Sequence, residues 1–189
     1  MKSGSITTKK IAQAGLVAAL SMVGYMIGIP LSSTGTEIHL GNAFVVLGAL
    51  LLGGPLGGVS GAIGLSLADL LKGYATSAPK TFVLKLIIGL VAGLVAHRFM
   101  HIKEKDASEQ LKIAFVASAV SLAVNTILDP VVGYFYKTYI LGIPQELASI
   151  WTKISSVATL INSIICVIVV TVVWPLLYKG LKRANLLAW

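Results

Sequence analysis

Of the 189 residues, 56% are hydrophobic and only 12% are charged, and the mean hydropathy is +0.89, which excludes an ordinary soluble domain and points to an integral membrane protein. The single cysteine, Cys166, excludes an intrachain disulfide and a cysteine-based metal cluster. A formal net charge of +8 does not point to nucleic acid, because the basic residues stand at the ends of apolar runs and are not interleaved with aromatics on one face.

Spanning about 30 Å of hydrocarbon takes about 20 helical residues, and the apolar runs predict six transmembrane helices in one all-α membrane domain covering residues 1–189. They fall at 11–29, 42–53, 56–71, 80–99, 111–129 and 153–178. The first follows Lys2, Lys9 and Lys10 and reads as a retained helix, since no convincing small-x-small cleavage site precedes Pro30. Along it run Ala14-x-x-x-Ala18 and Gly24-x-x-x-Gly28. Small residues let helix backbones approach in lipid, so the glycine pair reads as internal packing. The alanine pair lies near the cytoplasmic end, where a smooth face serves equally to dock another protein.

The next segment, "PLSSTGTEIHLG" at 30–41, is a long polar outer loop suited to a mobile cover. It leads Glu37, His39 and Asn42 to the start of the second helix. The second and third runs are short and joined by "GGPLGG", which reads as a tight hairpin of two spans or as one re-entrant element. "LADLLKGYATSAPKTFVLK" at 67–85 then places Asp69, Lys72, Lys80 and Lys85 close together. Asp69 and Lys72, three apart on a helix, can pair with each other. Lys85 lies farther into the fourth helix, where a lysine must face the bundle interior, with Asn125, Asp129 or a ligand as partner.

His97 and His101 sit at a helix end beside Arg98 and Lys103, so a charged interfacial face is expected there and no metal. In the fifth helix Asn125 and Asp129 share one face, and Pro130 is expected to end that helix and open an outer loop over 130–150. Asn162 in the sixth helix must find a hydrogen bond within the protein. Tyr74, Tyr134, Tyr136, Tyr139 and Trp151 gather at the outer end, and Trp174, Tyr178 and Trp189 at the inner end. Both groups read as interfacial belts, but the outer one coincides with the outer charges, and rings beside amides and ions suit a small heteroaromatic ligand.

With the N-terminus inside, Lys2, Lys9, Lys10, Arg98, Lys103, Lys105, Lys112, Lys179, Lys182 and Arg183 are cytoplasmic, ten of the 15 Lys and Arg residues. That bias predicts both termini inside. Lys72, Lys80, Lys85, Lys137 and Lys153 remain on or near the outer side. No phosphate-binding GxxxxGK[ST], nucleophile elbow or zinc motif occurs, and the inner halves of the helices are nearly uncharged, as for a blind pocket and not a pore. No catalytic residue is expected. An intramembrane enzyme built on Asp69, Lys85 and Asp129 is the competing reading.

The block 39–94, with "HLGN" opening the second helix, a Gly/Pro-rich hairpin, "ADLLKGY" ending the third helix and "APKTFVLK" entering the fourth, resembles the substrate-binding S components of energy-coupling factor (ECF) vitamin transporters. The closest resemblance is to the branch with riboflavin-type and hydroxymethylpyrimidine or pyridoxine proteins. The resemblance implies a bacterial plasma-membrane protein that captures a vitamin at the outer face and delivers it to a transmembrane coupling protein with two ATPase subunits. ATP would be used by those partners, and the chain itself needs no cofactor.

It further implies that Ala14 and Ala18 dock on the coupling protein and that residues 31–40 gate the pocket. Ligand contacts are expected from Lys80, Lys85, Asn125, Asp129, Trp151 and Asn162, with Glu37, His39 and Asn42 from the gate and second helix. A pocket of acid, amides, lysines and rings favours hydroxymethylpyrimidine or pyridoxine first, riboflavin second, with pantothenate a further alternative.

Overall fold

A computed structural model describes residues 7–31 and 36–187; Lys2, Trp189 and the middle of the expected gate lie outside the described residues. The chain is an all-α membrane protein. The described residues form six α-helices: α1 (Thr8–Met26), α2 (Gly41–Leu52), α3 (Gly54–Leu71), α4 (Ala78–Gly93), α5 (Gln110–Phe135) and α6 (Gln145–Arg183). α4 and α5 continue through π-helical turns at Leu94–Phe99 and Tyr136–Ile140. Among the described residues four helical segments are long and apolar enough to cross a membrane: Gly54–Leu71, Ala78–Phe99, Gln110–Ile140 and Gln145–Arg183.

α1 begins where the Thr7 hydroxyl accepts a hydrogen bond from the Lys10 backbone N–H. It stops at Met26, short of the predicted 29, because residues 29–30 pair as a strand. β1 (Ile29–Pro30) runs antiparallel to β2 (Glu37–Ile38), with Ile29 opposite Ile38 and Pro30 opposite Glu37. This hairpin holds the base of the first outer loop.

α2 has 12 residues, ten of them buried, and at 1.5 Å per residue it is about 18 Å long. It is an interior rod, shorter than the hydrocarbon core, around which longer helices close. Its neighbours approach through glycine. On α3, Gly57 lies on the α2 backbone at Gly48 and Ala49, and Gly61 lies on Val45. Gly89 and Gly93 of α4 meet Gly58 and Gly54 backbone to backbone, leaving no room for a Cβ at the crossing.

α5 does not end at Pro130. The proline lies inside it, and the helical chain runs on to Ile140, since surrounding protein can satisfy the carbonyl that a proline leaves unpaired in a membrane helix. The third outer connection therefore shrinks from the expected 130–150 to residues 141–144. α6, with Pro175 inside it, also exceeds its predicted bounds and spans 39 residues.

At the end of the bundle expected to lie inside, Trp174 is not part of an interfacial belt. It is fully buried and donates from Nε1 to Gln110 Oε1 at 2.8 Å. Gln110 in turn donates to the carbonyls of Ile102 and Lys105, so the indole and amide lock the α4–α5 connection onto α6. Nearby, the Lys9 ammonium and the Gln13 amide donate to the carbonyls of Asn185, Leu187 and Leu186, tying α1 to the end of the described chain.

Candidate functional site

At the opposite end, the ends of α1, α3 and α5 and the starts of α2, α4 and α6 enclose a cavity of about 350 Å³. Eight of the nine predicted ligand residues line it: Glu37, His39, Asn42, Lys80, Lys85, Asp129, Trp151 and Asn162. Asn125 does not. It lies one turn deeper on α5, 1% exposed, and neither its Oδ1 nor its Nδ2 has a hydrogen-bond partner.

The polar groups divide into those already satisfied and those left open. Asp129 is satisfied: Lys80 Nζ donates to its Oδ1 at 3.0 Å and the Thr159 hydroxyl to its Oδ2 at 2.9 Å. Glu37 forms an ion pair with Lys72. Lys72 also donates to the Tyr25 carbonyl and stands 4.7 Å from the centre of the Tyr25 ring. The alternative Asp69–Lys72 pairing does not form. Lys72 caps the C-terminus of α3, beyond the last helical turn, and from there it reaches the carboxylate that the β-hairpin brings over.

Asn162 spends both ends of its amide on backbone. Its Nδ2 donates to the Glu37 carbonyl at 2.8 Å, and its Oδ1 accepts from the His39 N–H at 2.9 Å. This side chain latches the start of the gate to α6. His39 stands in the same link, its Nδ1 accepting from the Gly41 N–H at 3.1 Å and its ring edge-on to Tyr25 at 4.6 Å. Burial holds its imidazole down at about 3, with the positive charges of Lys85 and Lys72 acting in the same direction. The ring is therefore neutral at physiological pH, and since Nδ1 accepts, its proton is on Nε2.

Three groups on the wall remain open. Asn42 Oδ1 and Asp69 Oδ2 are buried acceptors with no donor among the described residues, while the Tyr25 and Thr81 hydroxyls hydrogen-bond the Asp69 carboxyl. Among the described residues the Lys85 ammonium makes no ion pair or hydrogen bond; Asp129 and Asp69 act on it only as nearby charges. A cavity whose walls carry two acceptors without donors and one cation without an acceptor is suited to a polar molecule offering both functions.

Sequence reasoning missed part of this wall. Tyr25, Thr81, Lys137 and Thr159 all line the cavity. Lys137, expected only on or near the outer side, faces the cavity and donates to Thr152 Oγ1. The signal for Thr159 was present: Trp151, Ser155, Thr159 and Asn162 recur at helical spacing along one face of α6. Tyr25 gave none, being one aromatic at the end of an apolar run. Of the outer tyrosines, Tyr74 and Tyr136 line the cavity, while Tyr139 points out, 70% exposed and stacked on Phe135.

On α1, Ala14 and Ala18 are half-buried, with the Ala18 backbone seated against Gly64 of α3. The fully outward small residues are Ala12, Gly15 and Ala19, and a side chain added at Gly15 would meet nothing within 4 Å.

The sequence matches the model of a family described as the ECF-type riboflavin transporter, S component, over residues 5–183. The chain belongs to that family. No curated protein and no solved structure matches it. Membership makes this chain a multi-pass membrane component of a vitamin transporter, a substrate-binding subunit that works with an ECF module. That bears against the enzyme reading of Asp69, Lys85 and Asp129.

Proposed function

We propose that this S component captures a single-ring nitrogen heteroaromatic vitamin or precursor, hydroxymethylpyrimidine or pyridoxine, in the cavity between the outer ends of its helices. The observation that carries the reading is the set of open groups on the wall: Lys85, Asn42 Oδ1 and Asp69 Oδ2. Ring nitrogens and hydroxymethyl groups supply the complementary acceptors and donors, and Tyr25, Tyr74, Tyr136 and Trp151 offer faces for the ring. The volume of about 350 Å³ lies within the range of ligand pockets, about 300 to 1,000 Å³, and admits a single-ring vitamin as well as a larger one, so the polar pattern of the wall carries the choice. Riboflavin is the second reading, favoured by the family's description.

In this account the chain lies in a bacterial plasma membrane with both termini inside. It docks through α1 on the coupling protein, whose two ATPase subunits supply the energy. The β-hairpin and the Asn162 latch hold the gate over the occupied cavity. Isothermal titration of the purified full chain with pyridoxine, hydroxymethylpyrimidine and riboflavin tests the ligand. Tight binding of a single-ring compound and weak binding of riboflavin is the expected result; the reverse order assigns the protein to riboflavin.

A further inference from the structure

A second cavity, of about 580 Å³, opens at the other end of α2, where the α2–α3 junction faces the end of α4. Its lining is both cationic and apolar. Lys10, Arg98 and Lys103 line it with His97, whose ring nitrogen contacts the Ala49 carbonyl at 3.1 Å, beside the apolar Leu51, Leu90 and Leu94. No Asp or Glu among the described residues lines it. Nor do the side-chain nitrogens of Lys10, Arg98 and Lys103 make an ion pair or a hydrogen bond among the described residues, whose ion pairs are Lys72–Glu37, Lys80–Asp129 and Lys105–Glu109.

At this junction α2 ends and the 18-residue helix α3 starts at Gly54, with no side chain capping its N-terminus; opposite ends of two helix dipoles meet there and largely cancel, so the side-chain cations set the sign of the cavity. The junction residue Gly53 has φ +87° and open space around it, so the backbone lies bare at the mouth.

We propose that this cavity binds the headgroup of an anionic phospholipid. The apolar part of the lining distinguishes a lipid from a free anion. Leu90 and Leu94 are 41% and 50% exposed on the outer surface of α4, so an acyl chain can leave the cavity along that helix while the phosphate stays among the cations. Basic pockets between membrane helices that take lipid headgroups have this construction. The site is separate from the vitamin cavity, at the opposite end of α2, and stands whatever that cavity holds.

The test is native mass spectrometry of the delipidated full chain in detergent, titrated with phosphatidylglycerol, with phosphatidylcholine, and with phosphatidylglycerol in the presence of inorganic phosphate. Phosphatidylglycerol should bind at least tenfold more tightly than phosphatidylcholine. The double variant Arg98→Gln with Lys103→Gln should lower that affinity by about 25-fold, or about fivefold for each charge removed. Lys153→Gln, at the opposite end, should not, and thermal unfolding of the double variant checks its fold.

Equal binding of the two lipids, or an unchanged affinity in the double variant, overturns the proposal. If inorganic phosphate binds alone with the same dependence on Arg98 and Lys103 and displaces the lipid, the site serves a free anion instead. If the double variant keeps its lipid but no longer assembles with the coupling protein, the cations belong to a protein interface and the lipid proposal fails.

Discussion

Replacing Lys85 by Met should change stability and binding in opposite directions. The ammonium lines the cavity, and no acceptor among the described residues reaches it. In the empty protein it is a desolvated charge that nothing directly compensates, which costs free energy. Lys85→Met keeps most of the side-chain volume and removes the charge, so the ligand-free variant should be more stable by about 1 kcal/mol. That is a rise in Tm of about 2–4 °C at this chain length. With a ligand bound, the same ammonium makes a charge-assisted hydrogen bond worth about 1.5–3 kcal/mol, and its loss weakens binding about 10- to 150-fold. The assays are titration calorimetry and thermal unfolding with and without ligand, with the exposed Lys153→Met as comparison, since Lys137 itself lines the cavity. A variant that unfolds earlier yet binds normally would refute the reasoning, making Lys85 a counter-charge that the fold needs for Asp69 and Asp129.

Asp129→Asn should destabilise the protein by about 3 kcal/mol by leaving Lys80 without its partner, and adding Lys80→Met should restore much of the loss in thermal unfolding. Asn162→Leu should free the Glu37 carbonyl and the His39 N–H together, seen as faster hydrogen exchange at His39 with weakened ligand binding; unchanged exchange would remove the latch from the account. Gly15→Trp, which fills open space on α1, should abolish uptake while the purified protein still binds ligand, whereas loss of binding would place that face in the fold. His39, held down at about 3 by burial, is protonated in the unfolded chain below about 6.5 and not in the folded one. Its contribution to stability is complete above that value and falls between about 6.5 and 3, by at most about 1.4 kcal/mol per pH unit. His39→Gln should flatten that part of the stability profile, and an unchanged slope would contradict the assignment.

The six helices were legible because a membrane helix announces itself by length and apolarity, and the two short runs flanking "GGPLGG" carried the glycines that let α2 lie inside the bundle. Helix ends were less legible. Pro130 reads as a stop in water, where the freed carbonyl turns to solvent, but in this protein the helix continues past it. Asp69 illustrates the limit for the site: three residues from Lys72 it reads as half of a local ion pair, yet Lys72 is taken by Glu37, brought over by a hairpin of two-residue strands too short to show in sequence. Depth and charge were enough to place Lys80, Lys85, Asp129 and Asn162 on one cavity. Which of them the protein satisfies internally depends on distances that no spacing rule contains, and that division separates Lys85 from Asp129. Trp174 shows the same for the core: an indole near a helix end resembles a membrane-interface anchor until Gln110 is found at its nitrogen.

The most direct test of the central claim is to purify the full chain from cells grown in rich medium, record its native mass, then denature it and identify what is released. The account predicts one molecule per chain of a single-ring nitrogen heteroaromatic bearing hydroxyl or hydroxymethyl groups, with release reduced in Lys85→Met. A protein that carries nothing, and stays empty after incubation with a panel of vitamins, would contradict solute capture in this cavity.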